Sequence, residues 1–175
     1  AAMVKAAIGD VPEDIRSAYG LLCGLNSHDI SAMRELLGMP RRVVSAAQWN
    51  GGGYITAIFE FDGFYATFET GVDLQRRFDA SIEVFGDHKQ ILIQYDTPYI
   101  RHFPTTLRVK ETVGDAYNES VYRPTLKDPY TAEIEHFYDA VTKGIPPKTT
   151  PEDYKQDLDV FKMIIDALQK GGERK

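Results

Sequence analysis

The sequence is poor in the residues that usually mark disulfides and metal sites. Its 175 residues include one cysteine, Cys23, and four histidines. One thiol cannot form an internal disulfide, and the histidines at 28, 88, 102 and 136 lack the short spacings of metal ligands. A single cysteine is also typical of a reducing compartment. We therefore expect a cytoplasmic protein without a metal.

Long apolar runs and an excess of basic residues are missing too. No run reaches the roughly 18 apolar residues of a membrane-spanning helix, and the first residues lack the layout of a secretion signal. The chain has 20 Lys and Arg against 26 Asp and Glu, for a formal net charge of −6. Neither nucleic acid nor a membrane is therefore expected as a partner.

Several nucleotide and catalytic motifs are absent as well. There is no G-x-G-x-x-G, no G-x-x-x-x-G-K-[ST], no H-E-x-x-H and no G-x-S-x-G. The one glycine cluster, "NGGGY" at 50–54, leads into a predicted strand rather than a helix. We interpret it as a loop and not as a phosphate-binding turn.

The first third of the sequence has helical periodicity. Pro12 suits a first helical turn, and an apolar stripe follows it. Gly20 and Gly24 predict a weak point before a second helical segment, which Gly38 and Pro40 end. The stripe and its continuation comprise Ile15, Ala18, Leu22, Leu25, Met33, Leu36 and Leu37.

From about residue 42 to 123 the period changes to two. In "YITAIFEFDGFYATFET" (54–70), Asp62-Gly63 predicts a two-residue hairpin turn with positive φ at both positions. Folding there pairs Phe61 with Phe64, Phe59 with Ala66 and Ala57 with Phe68, on one apolar face. Further strands are predicted at 42–49, 78–85, 90–95 and 106–112.

The last 45 residues are helical again. Apolar stripes predict helices over 130–143 and 151–169, and Thr150-Pro151-Glu152-Asp153 resembles a helix cap. The first stripe comprises Ile134, Phe137, Tyr138 and Val141, and the inner face of the second helix comprises Tyr154, Leu158, Phe161, Ile165 and Leu168. We expect both helices to cover the face of Phe59, Phe61, Phe64 and Phe68. The order of elements predicts an α+β fold in one domain over 1–175, with a mostly antiparallel sheet open on its other face.

Three residues are candidates for a functional site. His28 lies on a predicted helix that ends in Leu-Leu-Gly, and imidazole exchanges protons readily at neutral pH. Arg101 and His102 adjoin in "TPYIRHFPTT", a stretch with groups that could hold an anion or a hydroxylated ligand, although an exposed loop would look the same. His136, beside an apolar stripe, is interpreted as structural.

The order of three segments resembles the C-terminal domain of the glucose–fructose oxidoreductase and inositol dehydrogenase family (Gfo/Idh/MocA). "NSHDISAMRELLGMP" (26–40) is similar to a family helix with a histidine followed by Leu-Leu-Gly. "IEVFGDHKQILI" (82–93) is similar to a family hairpin, and "EIEHFYDAVTKGIPP" (133–147) to the family's end. The resemblance covers nearly the whole chain and implies a dihydrodipicolinate reductase-like C-terminal fold.

The resemblance implies an NAD(P)-dependent oxidoreductase acting on a sugar, polyol or related hydroxylated small molecule. His28 would be its catalytic proton-exchange group, and Arg101 and His102 are the candidate substrate contacts. The family's cofactor is NAD or NADP, held by a preceding domain with a Gly-rich loop and a Glu-Lys-Pro motif. Neither motif occurs here, so this chain alone is expected to hold no cofactor.

Two positions depart from the family pattern. Gly24 stands where the family has an aspartate four residues before the histidine, and Ser31 where many members have another. Asp29 points about 100° round the helix from His28 and is a poor substitute. One alternative is therefore a non-catalytic module that binds a small molecule or a protein. Another is an enclosed-cone fold, as in steroid isomerases, with His28 or Asp29 as base.

The polar face of the predicted hairpin suggests self-association. It carries Tyr54, Ile58 and Tyr65 among threonines and glutamates, a mixture typical of protein interfaces. Members of the resembled family often pair such open sheets. We expect a homodimer or higher homo-oligomer through this face, although a solvated sheet face would carry many of the same residues.

Overall fold

Among the described residues, three helices precede the strands and two follow them. The structure is a computed structural model, which describes residues 2–124 and 126–172. The helices are α1 (Ala2–Ile8), α2 (Glu13–Gly24), α3 (Ser27–Leu37), α4 (Pro129–Lys143) and α5 (Pro151–Gly172). The strands are β1 (Arg42–Trp49), β2 (Tyr54–Glu60), β3 (Tyr65–Gly71), β4 (Ala80–Phe85), β5 (Lys89–Tyr95), β6 (Thr106–Val113) and β7 (Ala116–Tyr122). The predicted order of helices, strands and helices is confirmed.

The chain divides into two compact units. Unit 1 combines Ala1–Leu74 with Thr149–Lys175, and unit 2 is Gln75–Lys148. Every described hydrophobic residue in the buried core belongs to unit 1. The single domain expected over 1–175 stays a prediction, because one domain can contain two compact units.

The three-stranded sheet of unit 1 is built on the predicted hairpin. β2 pairs antiparallel with β3, with Ala57 opposite Phe68 and Phe59 opposite Ala66, which confirms the predicted register. The rings of Phe61 and Phe64 stack with centroids 4.8 Å apart. The predicted turn geometry is wrong, because Gly63 has φ 86° whereas Asp62 keeps a negative φ.

One face of this sheet carries the hydrophobic core. The inward residues of β2 are fully buried, as their alternation predicts: Ile55, Ala57 and Phe59. α5 packs on β1 and also contacts α2 and α3. Its predicted inner face contributes Phe161, Ile165 and Leu168, all buried. The cap is confirmed as well, since the Asp153 N–H donates to Thr150 Oγ1 at 3.1 Å.

α4 differs from the prediction. Its apolar stripe is present, but every member is more than 60% exposed: Ile134, Phe137, Tyr138 and Val141. α4 belongs to unit 2, and α2 and α3 supply the core side chains that we expected from it. Within unit 1 the Phe59 face is covered by α5 together with α2 and α3, whereas we expected helices 130–143 and 151–169 to cover it. Periodicity reveals that a helix has an apolar side, but not which surface that side meets.

Unit 2 contains the second sheet, a meander in the order β4-β5-β6-β7. The predicted strands at 78–85, 90–95 and 106–112 correspond to its first three members. Sequence analysis missed β7, whose Tyr-Asn-Glu-Ser segment lacks an apolar alternation. All strand pairs in the described residues are antiparallel. The α+β class with antiparallel sheets is thus confirmed.

The glycine cluster between β1 and β2 is a loop packed against α2. Gly52 is buried with φ 84°, and a Cβ there would lie 2.2 Å from Asp14 O and 2.7 Å from Ala18 N. Gln48 accepts from the Gly52 N–H at 2.9 Å and donates to Asp14 Oδ2 at 2.5 Å. Only a residue without a side chain allows the loop to approach the helix so closely.

Replacing Gly52 by alanine should destabilise unit 1 far more than replacing its neighbour Gly51. Gly51 also has positive φ, but nothing lies within 4 Å of its Cβ position. Gly51→Ala should therefore cost only the left-handed conformation, about 1–2 kcal/mol. Gly52→Ala should cost about 1–3 kcal/mol more, because it overlaps the α2 backbone. Urea unfolding of both variants measures the difference, and equal losses would contradict this packing.

Candidate functional site

His28 lies on the first turn of α3, just after a break in the helical segment. α2 ends at Gly24 and α3 begins at Ser27. Across the break, the Leu25 N–H still bonds Leu21 O at 2.9 Å, and the Ile30 N–H bonds Asn26 O at 2.9 Å. The weak point predicted from Gly20 and Gly24 is thus real. It leaves the His28 side chain exposed at a helix start.

Asn26 anchors this helix start to the sheet. Its side chain is almost wholly buried, at 2% exposed. Its Nδ2 donates to Thr70 Oγ1 on β3 at 2.7 Å and to Asp29 Oδ2 at 3.0 Å. The position of the His28 backbone is therefore set by a buried amide. Sequence analysis did not single out Asn26, although an asparagine directly before a helix is a common capping residue.

Arg34 fixes the other end of α3. Its side chain is 7% exposed, and its Nε donates to Asp157 Oδ1 of α5 at 2.6 Å. Its Nη2 donates to Asp153 Oδ2 at 2.9 Å. Sequence analysis missed this cluster, yet a signal was present. Arg34 follows the buried Ile30 by four residues, so it shares the inward face of the helix.

Arg101 and His102 line an open cleft of about 580 Å³ in unit 2. The structure therefore brings these two candidates together, while His28 belongs to unit 1. The loop before β6 and the start of α4 form the cleft. Its lining comprises Pro98, Tyr99, Arg101, His102, Asp128, Tyr130, Thr131, Ile134 and Glu135.

His102 is held in an uncommon conformation. Its φ is 58°, a left-handed value that few residues other than glycine adopt. Its Nδ1 lies 2.9 Å from Leu126 O. A carbonyl oxygen can only accept, so Nδ1 carries a proton and Nε2 is the acceptor of the neutral ring. The Leu126 carbonyl therefore orients the imidazole through Nδ1.

Asp128 connects this histidine loop to α4. It is 6% exposed, and its carboxylate accepts from the Thr131 N–H at 2.9 Å and from Thr131 Oγ1 at 3.0 Å. The pKa of Asp128 lies below its ordinary value, mainly because the Thr131 backbone N–H donates to the carboxylate. Burial of the carboxylate acts in the opposite direction and raises this pKa. The backbone and ring of His102 lower it further. Asp128 escaped sequence analysis as a site residue because it lies 26 residues from His102.

His136 has a local structural contact, as its position suggested. Its Nε2 accepts from the Lys148 N–H at 3.1 Å, which ties the segment after α4 to the helix.

Neither a cluster of metal ligands nor a phosphate-binding glycine turn is found among the described residues. No group of three or more His, Cys, Asp or Glu among them could hold a metal ion. The glycine loop does not fit a dinucleotide phosphate, since the α2 backbone already occupies the space beside Gly52. No helix within the described ranges is both long and apolar enough to cross a membrane.

Comparison with known proteins identifies relatives by structure only. No protein-family model matches the sequence, and no curated protein sequence matches it. Solved structures do match. A provisionally assigned NADPH-dependent oxidoreductase from Desulfitobacterium hafniense superposes with a TM-score of 0.70 at 19% identity, covering 87% of this chain and 47% of that one.

Two further oxidoreductases have the same fold. The aldose-aldose oxidoreductase of Caulobacter crescentus, solved with glycerol, matches with a TM-score of 0.63 at 19% identity, over 83% of this chain and 44% of that one. KijD10 is a 3-ketoreductase from Actinomadura kijaniata that was solved with TDP-benzene and NADP. It matches with a TM-score of 0.59 at 17% identity, over 86% of this chain and 46% of that one. This chain thus spans just under half the length of each, and its fold is similar to the part of each structure that it matches.

Removing the Asp128 carboxylate should loosen both α4 and the His102 loop. In Asp128→Ala the Thr131 N–H loses its acceptor, so its amide exchange with solvent should accelerate, together with that of His102. Asp128→Asn keeps a capping oxygen and is the matched control. Because the pKa of Asp128 is lowered in the fold, its stabilising effect is present above the unfolded pKa and is lost as pH falls through the folded pKa. Unchanged exchange in Asp128→Ala would contradict this role.

Proposed function

We propose that this chain is the C-terminal substrate-binding and oligomerisation domain of an NAD(P)-dependent oxidoreductase of the Gfo/Idh/MocA family. Its substrate would be a sugar, polyol or related hydroxylated small molecule. The observation that carries the proposal is the fold, which matches about half of each of three oxidoreductase chains. The order of the family-like segments in the sequence supports the same conclusion.

In this proposal His28 exchanges the proton of the substrate hydroxyl. Its side chain is exposed, so a substrate can reach it. The buried Asn26 anchor beside it keeps the helix start in place, which a proton-exchange group requires. Arg101 and His102 are proposed as substrate contacts.

The nicotinamide cofactor would be held mainly by a separate domain. The glycine loop of this chain does not fit one, and the cofactor would supply the hydride acceptor or donor. KijD10 was solved with NADP, and the Desulfitobacterium protein is named for NADPH. We extend NAD or NADP to the enzyme that contains this chain, and we place that enzyme in the cytoplasm.

Gly24 favours a second candidate, a binding module without dehydrogenase activity. It stands where the resembled family has an aspartate, and the helix break separates it from the helix of His28. Nothing lies within 4 Å of its Cβ position, so an aspartate would fit. If the protein has lost dehydrogenase activity, we expect the family aspartate to be missing, and Gly24 stands in its place. No observation favours the enclosed-cone isomerase.

Replacing His28 tests the enzymatic candidate directly. In the full-length protein, His28→Ala should lower kcat/KM by about 10²–10⁴, the usual effect of losing an acid–base group. The exposed residue should matter little for folding, so the thermal unfolding midpoint should not change. His88→Ala, at an exposed turn between β4 and β5, is the matched control. Full activity in His28→Ala would remove His28 from the mechanism and favour the binding module.

We also propose that the open face of the unit 1 sheet joins two copies of the chain. Trp49 and Tyr54 stack there with centroids 5.2 Å apart, and the Tyr54 ring fills the space above Gly71. Ile58 and Tyr65 are 37% and 65% exposed. Exposed aromatic and apolar side chains on one sheet face are characteristic of an interface. A two-fold axis would bring the same face of both copies together.

Ile58→Glu should separate the dimer. The change places a negative charge near Glu60 and Glu69 in a surface that would lose its water. Ile58 points away from the core, so the monomer should stay folded. Val113→Glu, at an exposed apolar residue of β6, is the control and should leave the mass unchanged. Light scattering measures the outcome, and an unmutated chain near 19.7 kDa at micromolar concentrations would contradict the interface.

A further inference from the structure

The cleft of unit 2 has an aromatic wall. The rings of Tyr99 and Tyr130 lie 6.4 Å apart with their planes tilted by 38°. Both rings remain accessible, at 82% and 47% exposed. Ile134, on the next turn of α4, extends the apolar surface. Such a wall offers contact area to a flat ring in a ligand.

Arg101 adds a positive charge without an ion-pair partner to the same cleft. It has no ion pair or hydrogen bond with any other residue in the part of the chain that the structure describes. The two acidic groups of the lining are already engaged. Asp128 caps α4, and Glu135 pairs with Lys127. A guanidinium in this situation binds a carboxylate or phosphate through two parallel hydrogen bonds.

His102 contributes a directed polar atom. Its Nδ1–H is used by Leu126 O, so Nε2 is available to accept from a ligand hydroxyl. The left-handed backbone at His102 is an unfavourable conformation that the surrounding contacts maintain. Residues held in this manner are concentrated at binding sites, because the ligand then meets a group already in position.

We propose that this cleft binds a small ring compound carrying a carboxylate or phosphate. Arg101 binds the anionic group, the Tyr99–Tyr130 wall contacts the ring, and His102 Nε2 accepts a hydrogen bond from a hydroxyl. The cavity volume of about 580 Å³ suits one such molecule. The inference rests on the proposed role of Arg101 and His102 as substrate contacts, and it adds the chemical class of the ligand.

Phenyl phosphate is a probe that combines both features. Titrated into the ¹⁵N-labelled chain, it should cause saturable amide shifts at Tyr99, Arg101, His102 and Thr131, with a millimolar dissociation constant. Benzoate should act in the same manner if the site prefers a carboxylate. Inorganic phosphate and benzyl alcohol, which each have one feature only, should bind at least tenfold more weakly than the better ring anion.

Three variants locate the binding. Arg101→Ala should weaken the ring anion at least tenfold, and Tyr130→Leu should bring its affinity down to that of inorganic phosphate. Arg108→Ala, at an exposed arginine of β6 outside the lining, should leave the affinity unchanged. Thermal unfolding confirms that each variant is folded, and the substituted side chains are all exposed.

The results separate this inference from the proposed function. No saturation by either ring anion at millimolar concentrations overturns the ligand class. Equal binding of inorganic phosphate and the ring anion also overturns it, because the tyrosine wall would then contribute nothing. These measurements need neither a cofactor nor His28, so the activity test of His28 remains valid whichever result is obtained.

Discussion

The buried ion pairs of Arg34 join α5 to α3. A guanidinium inside a protein is very unfavourable unless carboxylates neutralise it. Here they come from Asp153 and Asp157 on α5, the latter 123 residues away in sequence. α3 and α5 can therefore adopt only a relative position in which all three groups meet. Hydrophobic packing alone would allow small shifts along the helices, because it has little directional preference.

This constraint reaches the candidate proton-exchange group. α3 is fixed at its C-terminal half by Arg34 and at its start by the bond from Asn26 to Thr70. His28 lies just after the helix break and between these two anchors, so its backbone has little freedom while its side chain stays accessible. The cleft of unit 2 is built differently. Its loop and helix start are held by polar contacts around His102 and Asp128, with no fully buried hydrophobic residue among the described part of that unit.

Local patterns predicted what depends on local geometry. The hairpin register followed from alternation about Asp62-Gly63, and the inner face of α5 followed from its period of 3.6. The turn conformation did not, because several turn types accept Asp-Gly. The surface that α4 covers did not follow from its apolar stripe, because the stripe does not show which surface the helix packs against. β7 was missed because its sequence alternates weakly.

The candidate site divides in the same manner. His28 and the pair Arg101–His102 stood out by residue type and neighbours in sequence. Tyr130 and Asp128 could not be found that way, because the chain returns to His102 only after two more strands. Asn26 and Arg34 are polar residues whose importance comes from burial, and burial depends on distant segments. The candidate residues could therefore be proposed from the sequence, whereas the residues that hold them in place could be recognised only in the fold.

The position of α5 in the core also determines how the chain can fold while it is being synthesised. The inner face of β2 is complete by residue 60, but Phe161 and Ile165 of α5, which belong to the same core cluster, are synthesised about a hundred residues later. Until then the core of unit 1 contains the side chains of α2 and α3 but lacks those of α5. All of unit 2 is made during this interval. Closing so long a loop is slow, so the nascent chain has an extended period in which these strands are open to non-native contacts.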